Sequence, residues 1–399
     1  MNTDTTVLPD AVTKARTATQ LVFLVCGLGM ASWAPMVPFA KDRLGLDDAT
    51  LGLLLLLLGA GAMVMMPTSG WLVSRLGSRV VIAGAALLMA LTLPLLMVLT
   101  SPAAMAVTLF LFGAGVGAID VAMNAHGVQV QNLYGRPIMS SLHGLFSVGG
   151  LFGSLGLGFL VRMGLNPLYA ISSIAALMVL IVLTQYNQLF PANTERQVMA
   201  RFAEDTGQST AEKTRFGWLK GSVLFLGMMC FAVFLSEGAI LDWSAIYLRD
   251  TKGVDPTLAG TGYAAFSVAM AIMRLVGDKL VARLSGKAVV VGGSLLGAAG
   301  LAMAVLVPGT YGALAGFVLL GLGVANIVPI FFSAAGRLPG VAPTVSIPAI
   351  TTIGYTGLLT GPALLGFIAQ QFSLSVALGF VSVLLILVAL SYQLKGQTN

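Results

Sequence analysis

Three acidic residues interrupt runs that are otherwise apolar: Asp120 in VGAIDVAMNAHGV, and Glu237 and Asp242 in FLSEGAILDW. A charge at the centre of a bilayer costs about 3 kcal/mol on insertion scales, so such residues are kept where they act or where they have a partner. A carboxyl group there can exchange a proton, accept a hydrogen bond from a hydroxyl-bearing ligand, or pair with a buried cation such as Arg274. Asn124 and Gln131 follow Asp120 at spacings of four and eleven, on the same helical face. A carboxyl with amides along one stripe suits both proton exchange and hydroxyl recognition. Glu237 is the second candidate of this kind. Asp242 lies about 140° around the helix from it and reads as a structural or gating group.

His126, six residues from Asp120, points away from that stripe and reads as a packing residue. His143 could titrate near neutrality or fill a helix contact. Trp33, Trp243, Asn326 and Tyr355 are further groups able to touch a ligand, the tryptophans equally as packing or interfacial anchors. Enzyme chemistry finds no parts: there is no Gly-x-Ser-x-Gly elbow, His-Glu-x-x-His pair or phosphate loop. The two histidines have no nearby thiolates for a catalytic metal. Cys26 and Cys230, both inside apolar runs, read as small core residues rather than a disulfide or redox pair.

The elements that must hold these groups follow from composition. Of 399 residues, 57% are hydrophobic and 9% charged, against about 25% charged in soluble domains. Glycine is abundant, with 48 residues, as in membrane helices that pack closely. Twelve stretches reach the roughly 20 apolar residues that a spanning helix requires. They start near Gln20, Ala49, Val80, Ala104, Met139 and Leu168, then near Leu219, Thr257, Ala288, Tyr311, Val345 and Leu374. The alternating ten-residue strands of a barrel, the other spanning solution, are absent. The first stretch is expected to stay as an uncleaved helix.

With both termini inside, Lys41, Arg43, Arg162, Arg249 and Lys252 fall outside, Arg274 lies within a stretch, and the other 15 of the 21 Lys and Arg fall inside. That asymmetry follows the positive-inside rule. The net charge of +6 is therefore loop bias, with no basic cluster for nucleic acid.

Shifting the chain by 208 residues superimposes its halves without a gap. Lys41–Asp47 falls on Arg249–Asp255, and Leu72–Leu76 on Leu280–Leu284. Gly113, Gly115 and Val116 fall on Gly321, Gly323 and Val324, and Gly149, Gly153, Gly158 and Phe159 on Gly357, Gly361, Gly366 and Phe367. Six helices per repeat put both repeats into the membrane from the same side. The expected organisation is a six-helix half at 1–190, a cytoplasmic linker at 191–217 too polar for a core, and a second half at 218–399.

Two parallel six-helix halves resemble the major facilitator superfamily, in which substrate binds near mid-membrane. The loop Gly70-Trp71-Leu72-Val73-Ser74-Arg75-Leu76-Gly77-Ser78-Arg79 is similar to the superfamily's cytoplasmic signature Gly-x-x-x-Asp-Arg-x-Gly-Arg-Arg, with Ser74 in place of the Asp and Ala282 at the repeat position. The resemblance implies a gating role for Gly70, Arg75, Gly77 and Arg79, and for Arg274, Asp278 and Arg283 in the second half, where Asp278 can supply the missing charge. The strings from Asp120 to Gly127, Leu142 to Ser147 and Ser236 to Ala239, the last with Asp242-Trp243, look like the fucose-permease-like branch. That branch implies proton symport of sugars. The intramembrane acids Asp120 and Glu237 are then the candidate proton-coupling groups, and Asn124, Trp33, Trp243, Asn326, His143 and Tyr355 the candidate substrate contacts, the superfamily's cavity being lined by helices 1, 4, 7 and 10.

The resulting expectation is an all-α membrane protein of twelve helices in a bacterial-type inner membrane, monomeric, with lipid and a small solute as partners. It would use protons as coupling ion and no cofactor. Its function would be proton-coupled uptake of a neutral, hydroxyl-bearing compound. Proton-driven drug efflux and a non-transporting ligand-sensing receptor remain open as alternatives.

Overall fold

The computed structural model describes residues 9–33, 36–46, 48–205, 217–254 and 260–395. Every regular element among them is helical, as a chain in hydrocarbon requires if its backbone groups are to bond within each segment. The order is α1 (Pro9–Ser32), α2 (Val37–Leu44), α3 (Asp48–Leu76), α4 (Ser78–Val98), α5 (Pro102–Tyr134), α6 (Met139–Arg162), α7 (Pro167–Gln185) and α8 (Ala192–Asp205). Then follow α9 (Gly221–Ile246), continued by a π-turn at Tyr247–Thr251, α10 (Thr261–Leu284), α11 (Gly286–Leu306), α12 (Thr310–Val324), α13 (Ile327–Ala335), α14 (Pro343–Gln371) and α15 (Leu374–Lys395).

Among the described residues, ten segments are long and apolar enough to cross a membrane, with α12 and α13 forming one of them. Helices α1 and α10, each of 24 residues, complete the twelve; their charged residues hold down their hydropathy. Helix α1 starts at Pro9, well before the expected Gln20, because its polar first turns are helical too, with Lys14 paired to Asp10 at 2.6 Å. The expected start near Thr257 lies outside the described residues. So do 206–216 of the polar linker, including Glu212, Lys213 and Arg215. The rest of that linker is more ordered than its composition suggests: α8 forms there and buries Glu195 and Val198.

The 208-residue repeat is visible in the backbone. Helices α4 and α11 are both 21 residues long and begin and end 208 positions apart. Gly77 before α4 has φ 84° and ψ 156°, and Ser285 before α11 has φ 74° and ψ 152°. Ser285 is the one non-glycine residue with positive φ among those described, in a region that costs an L-residue on the order of 1–3 kcal/mol.

Packing repeats as well. In one half α5 packs on α3 and α4, and α4 on α7; in the other α12 packs on α10 and α11, and α11 on α15. Glycines permit these approaches. A Cβ at Gly113 would collide with the Leu58 carbonyl oxygen, and one at Gly321 with that of Phe266. Both glycines and both carbonyls are 208 apart.

The chain forms two compact units. The first comprises Met1–Ile138, Leu145–Gly217 and Gly336–Pro348; the second comprises Met139–Gly144, Trp218–Ala335 and Ala349–Asn399. Helices α6 and α14 thus each begin in one unit and end in the other.

Candidate transport site

In the first unit the polar stripe lies on α5. Gly113 and Gly117 let this helix approach α3 closely, a Cβ at Gly117 coming within 2.8 Å of the Ala62 Cα. Asp120 is drawn inside with 7% of its surface exposed. Asn124 Nδ2 donates back to the Asp120 carbonyl at 2.9 Å and to Oδ1 at 3.4 Å. The other carboxyl oxygen, Oδ2, is buried without a hydrogen-bond partner. Gln131, expected on the same stripe, is engaged elsewhere. Its Oε1 accepts from the Ile138 backbone N–H at 3.0 Å, closing the turn into α6.

His126 is a structural residue, as its position suggested. Its Nε2 accepts from the Phe190 N–H at 3.0 Å. The proton therefore sits on Nδ1, which donates to Thr19 Oγ1 at 2.9 Å, while the Thr19 hydroxyl donates to the Ala15 carbonyl at 2.6 Å. Trp33, at the end of α1, is buried with its indole N–H unpartnered.

In the second unit the charge is paired. Arg274 Nη2 meets Glu237 Oε1 at 3.3 Å, with side-chain exposures of 8% and 18%. Arg274 Nε donates to the Ala325 carbonyl at 3.1 Å. That carbonyl is available because Pro329, four residues on, has no N–H to give it; the helix breaks at Ala325 and Asn326, between α12 and α13. Asn326 Nδ2 donates to the Met273 carbonyl at 3.3 Å, and its oxygen packs against Gly277 without a hydrogen-bond partner. Asn326 thus stands within the helix contact.

By the 208 offset, Glu237, Arg274, Asn326 and Pro329 fall on Gly29, Met66, Ala118 and Val121. The α5 helix runs unbroken through the last two. The charged network is therefore an addition of one half, and Pro329 was the sequence signal that could have located it.

Asp278 turns to the start of α6. Its carboxylate accepts from the Ser140 N–H at 3.0 Å and the Ser141 N–H at 3.2 Å, which places an anion at the positive end of that helix. His143, one turn further along, stacks on Phe332 with ring centres 5.7 Å apart. Tyr355 meets Phe234 edge-on at 5.4 Å. The Trp243 indole N–H is buried and unpartnered, and its ring lies over Gly366. Asp242 is exposed.

A family model described as Major Facilitator Superfamily matches residues 21–355. The chain belongs to the major facilitator superfamily. It is 46% identical over 374 residues to an MFS-type transporter of Yersinia pestis, covering 94% of each chain. It is 33% identical to membrane protein MosC of Rhizobium meliloti, covering 94% of this chain and 88% of that protein. Among solved structures, the fold matches the E. coli fucose:proton symporter FucP (TM-score 0.71, 14% identity, 95% of this chain and 98% of that one). It also matches the proton:xylose symporter XylE (TM-score 0.77, 14% identity, 96% and 95%). The protein is a multi-pass membrane transporter of this superfamily and not an enzyme.

In the superfamily's signature loop, Gly70 is needed for contact: a Cβ there would strike Thr344 and Pro348 at the start of α14. The Ser74 hydroxyl, where the superfamily signature has an acid, donates to the Trp71 carbonyl at 2.7 Å. Arg75 lies over the Trp71 ring at 5.6 Å and Arg79 over Tyr186 at 4.4 Å. The repeat-related Arg283 is exposed.

Proposed function

We propose that the chain takes up a small, uncharged, hydroxyl-bearing solute by proton-coupled alternating access in a bacterial-type inner membrane, with both termini cytoplasmic. It acts as a monomer, with protons as its coupling ion and without a cofactor. The observation that carries this reading is Asp120, a buried carboxyl with one oxygen unpartnered and an amide beside the other at 3.4 Å. Such a group has an unused acceptor that a proton, or a solute hydroxyl when the site opens, would satisfy. Glu237, already held by Arg274, is less free to exchange. FucP and XylE are symporters of fucose and xylose with protons, which supports the same class of cargo here.

Thermal-stabilisation screening of purified protein identifies the solute, because a native-state binder raises apparent stability. Flux of that solute in proteoliposomes then tests coupling. Asp120→Asn keeps the shape but cannot titrate. It abolishes accumulation driven by a pH gradient and leaves exchange between equal-pH compartments partly intact. Normal accumulation by Asp120→Asn moves the coupling role to Glu237. A solute that binds without flux makes the protein a receptor.

A further inference from the structure

The two repeats solve one problem in different ways. Helix α11 begins after Ser285, whose Oγ accepts from the Ala288 N–H at 3.4 Å. The repeat-equivalent residue before α4 is Gly77, which has no side chain to offer. The acceptor at the start of α4 comes from elsewhere in the chain and meets its first amide: Glu195, on α8, accepts from the Ser78 N–H through Oε2 at 2.9 Å. The docked helix is fitted closely. A Cβ at Gly77 would meet Ala192 at 2.8 Å, and Arg196 Nη2 donates to the Arg75 carbonyl at 3.1 Å. Glu195 is 2% exposed, and its second oxygen is buried without a hydrogen-bond partner.

We propose that α8 is a protonation-governed clasp: Glu195 docks it on the α3–α4 turn of its own unit most firmly when the carboxyl is neutral, and the clasp loosens as the surrounding solution becomes alkaline. A carboxylate sealed into this contact gives up water for the Ser78 N–H, the Ser78 side chain and the positive end of a single helix, so burial opposes its charge. The cations that act on it are Arg79 on α4 and Arg196 on α8 itself, but Arg79 is stacked on Tyr186 and Arg196 is exposed. Helix α5, which also packs on α8, has its neighbouring groups otherwise engaged, His126 with Thr19 and Phe190 and Tyr134 with Arg16.

Burial outweighs the Ser78 contacts and both cations, and pushes the Glu195 carboxyl from the ordinary 4.5 up to about 7. The sign follows from linkage. A docked group that holds its proton more tightly than the undocked one favours docking at low pH, and that advantage fades as pH rises through about 7. With those two values, docking weakens by about tenfold between pH 6 and pH 8. The proposal concerns the linker side of the first unit, independent of cargo and coupling.

Hydrogen–deuterium exchange of the full-length protein in nanodiscs tests it without any solute, once rates are corrected for intrinsic pH dependence. Amides of α8 and of the first turn of α4 should lose protection by about tenfold from pH 6 to pH 8, most of it below pH 7, with the decline levelling off above about 7. Glu195→Gln should stay protected at both. A flat wild-type profile, or the same slope in Glu195→Gln, overturns the proposal. Should that variant fail to fold, the wild-type titration decides alone: a loss of protection already complete below pH 5 overturns it.

Discussion

Arg274→Ala removes one guanidinium that serves two groups at once. Glu237 loses its partner at 3.3 Å, and the Ala325 carbonyl, already deprived of a helical bond by Pro329, loses its donor at 3.1 Å. Breaking one partner out of a buried ion pair costs about 3–5 kcal/mol, because the remaining charge is stranded. The 18% exposure of Glu237 places this site toward the lower end. An orphaned buried carbonyl adds about 1–3 kcal/mol. The two losses share a side chain and do not sum fully, so the expected destabilisation is about 4 kcal/mol. Glu237→Gln in the Arg274→Ala background removes the stranded charge and should recover about half, leaving the carbonyl uncompensated. Arg274→Lys, with one compact ammonium in place of a fork, should keep the pair or the carbonyl but not both. Reversible chemical unfolding in detergent micelles at fixed pH measures each variant. If Arg274→Ala costs under about 1 kcal/mol, or Glu237→Gln recovers nothing in that background, the buried pair is not what holds the break in place.

The C-terminal end of α4 gives a test of the repeat itself. Arg43 donates to the carbonyls of Leu99 at 2.9 Å and Leu96 at 2.8 Å. In the second half the equivalent carbonyls, Val307 and Ala304, are met by Lys252 at 2.9 Å and the Tyr247 hydroxyl at 3.0 Å. Arg43→Ala should therefore cost about 2 kcal/mol, close to Tyr247→Phe and Lys252→Ala combined, as read from unfolding midpoints. Gly113→Ala and Gly321→Ala each push a methyl into a backbone carbonyl and should each lower stability by about 1–3 kcal/mol; a neutral result at either breaks the packing equivalence. Cysteines placed at Ser101 and Gln208 should react with an impermeant thiol reagent from opposite sides of the membrane, and labelling of both from outside refutes the proposed orientation.

The number of membrane segments, their order and the 208-residue repeat were all legible in the chain, because hydropathy, helical period and glycine spacing are local properties. So was the unusual character of Asp120 and Glu237, since a carboxyl in an apolar run is costly wherever it lies. The role of His126 in packing followed from its place on the helix, and the glycines at 113 and 321 followed from the register. Partner choice was not legible. Arg274 stands 37 residues from Glu237, yet the structure pairs the two at 3.3 Å, while Asp278 accepts from the N–H groups at the start of α6. Gln131 shares a face with Asp120 but ends its helix near Ile138, so the nearer backbone donor takes it. Glu195 sits in a stretch too polar for a core and is nevertheless almost wholly buried. Hydrogen bonds are short and directional, so their partners depend on which helix ends and breaks approach within about 3 Å. That approach is decided by the packing of whole helices, and no periodicity along the chain contains it.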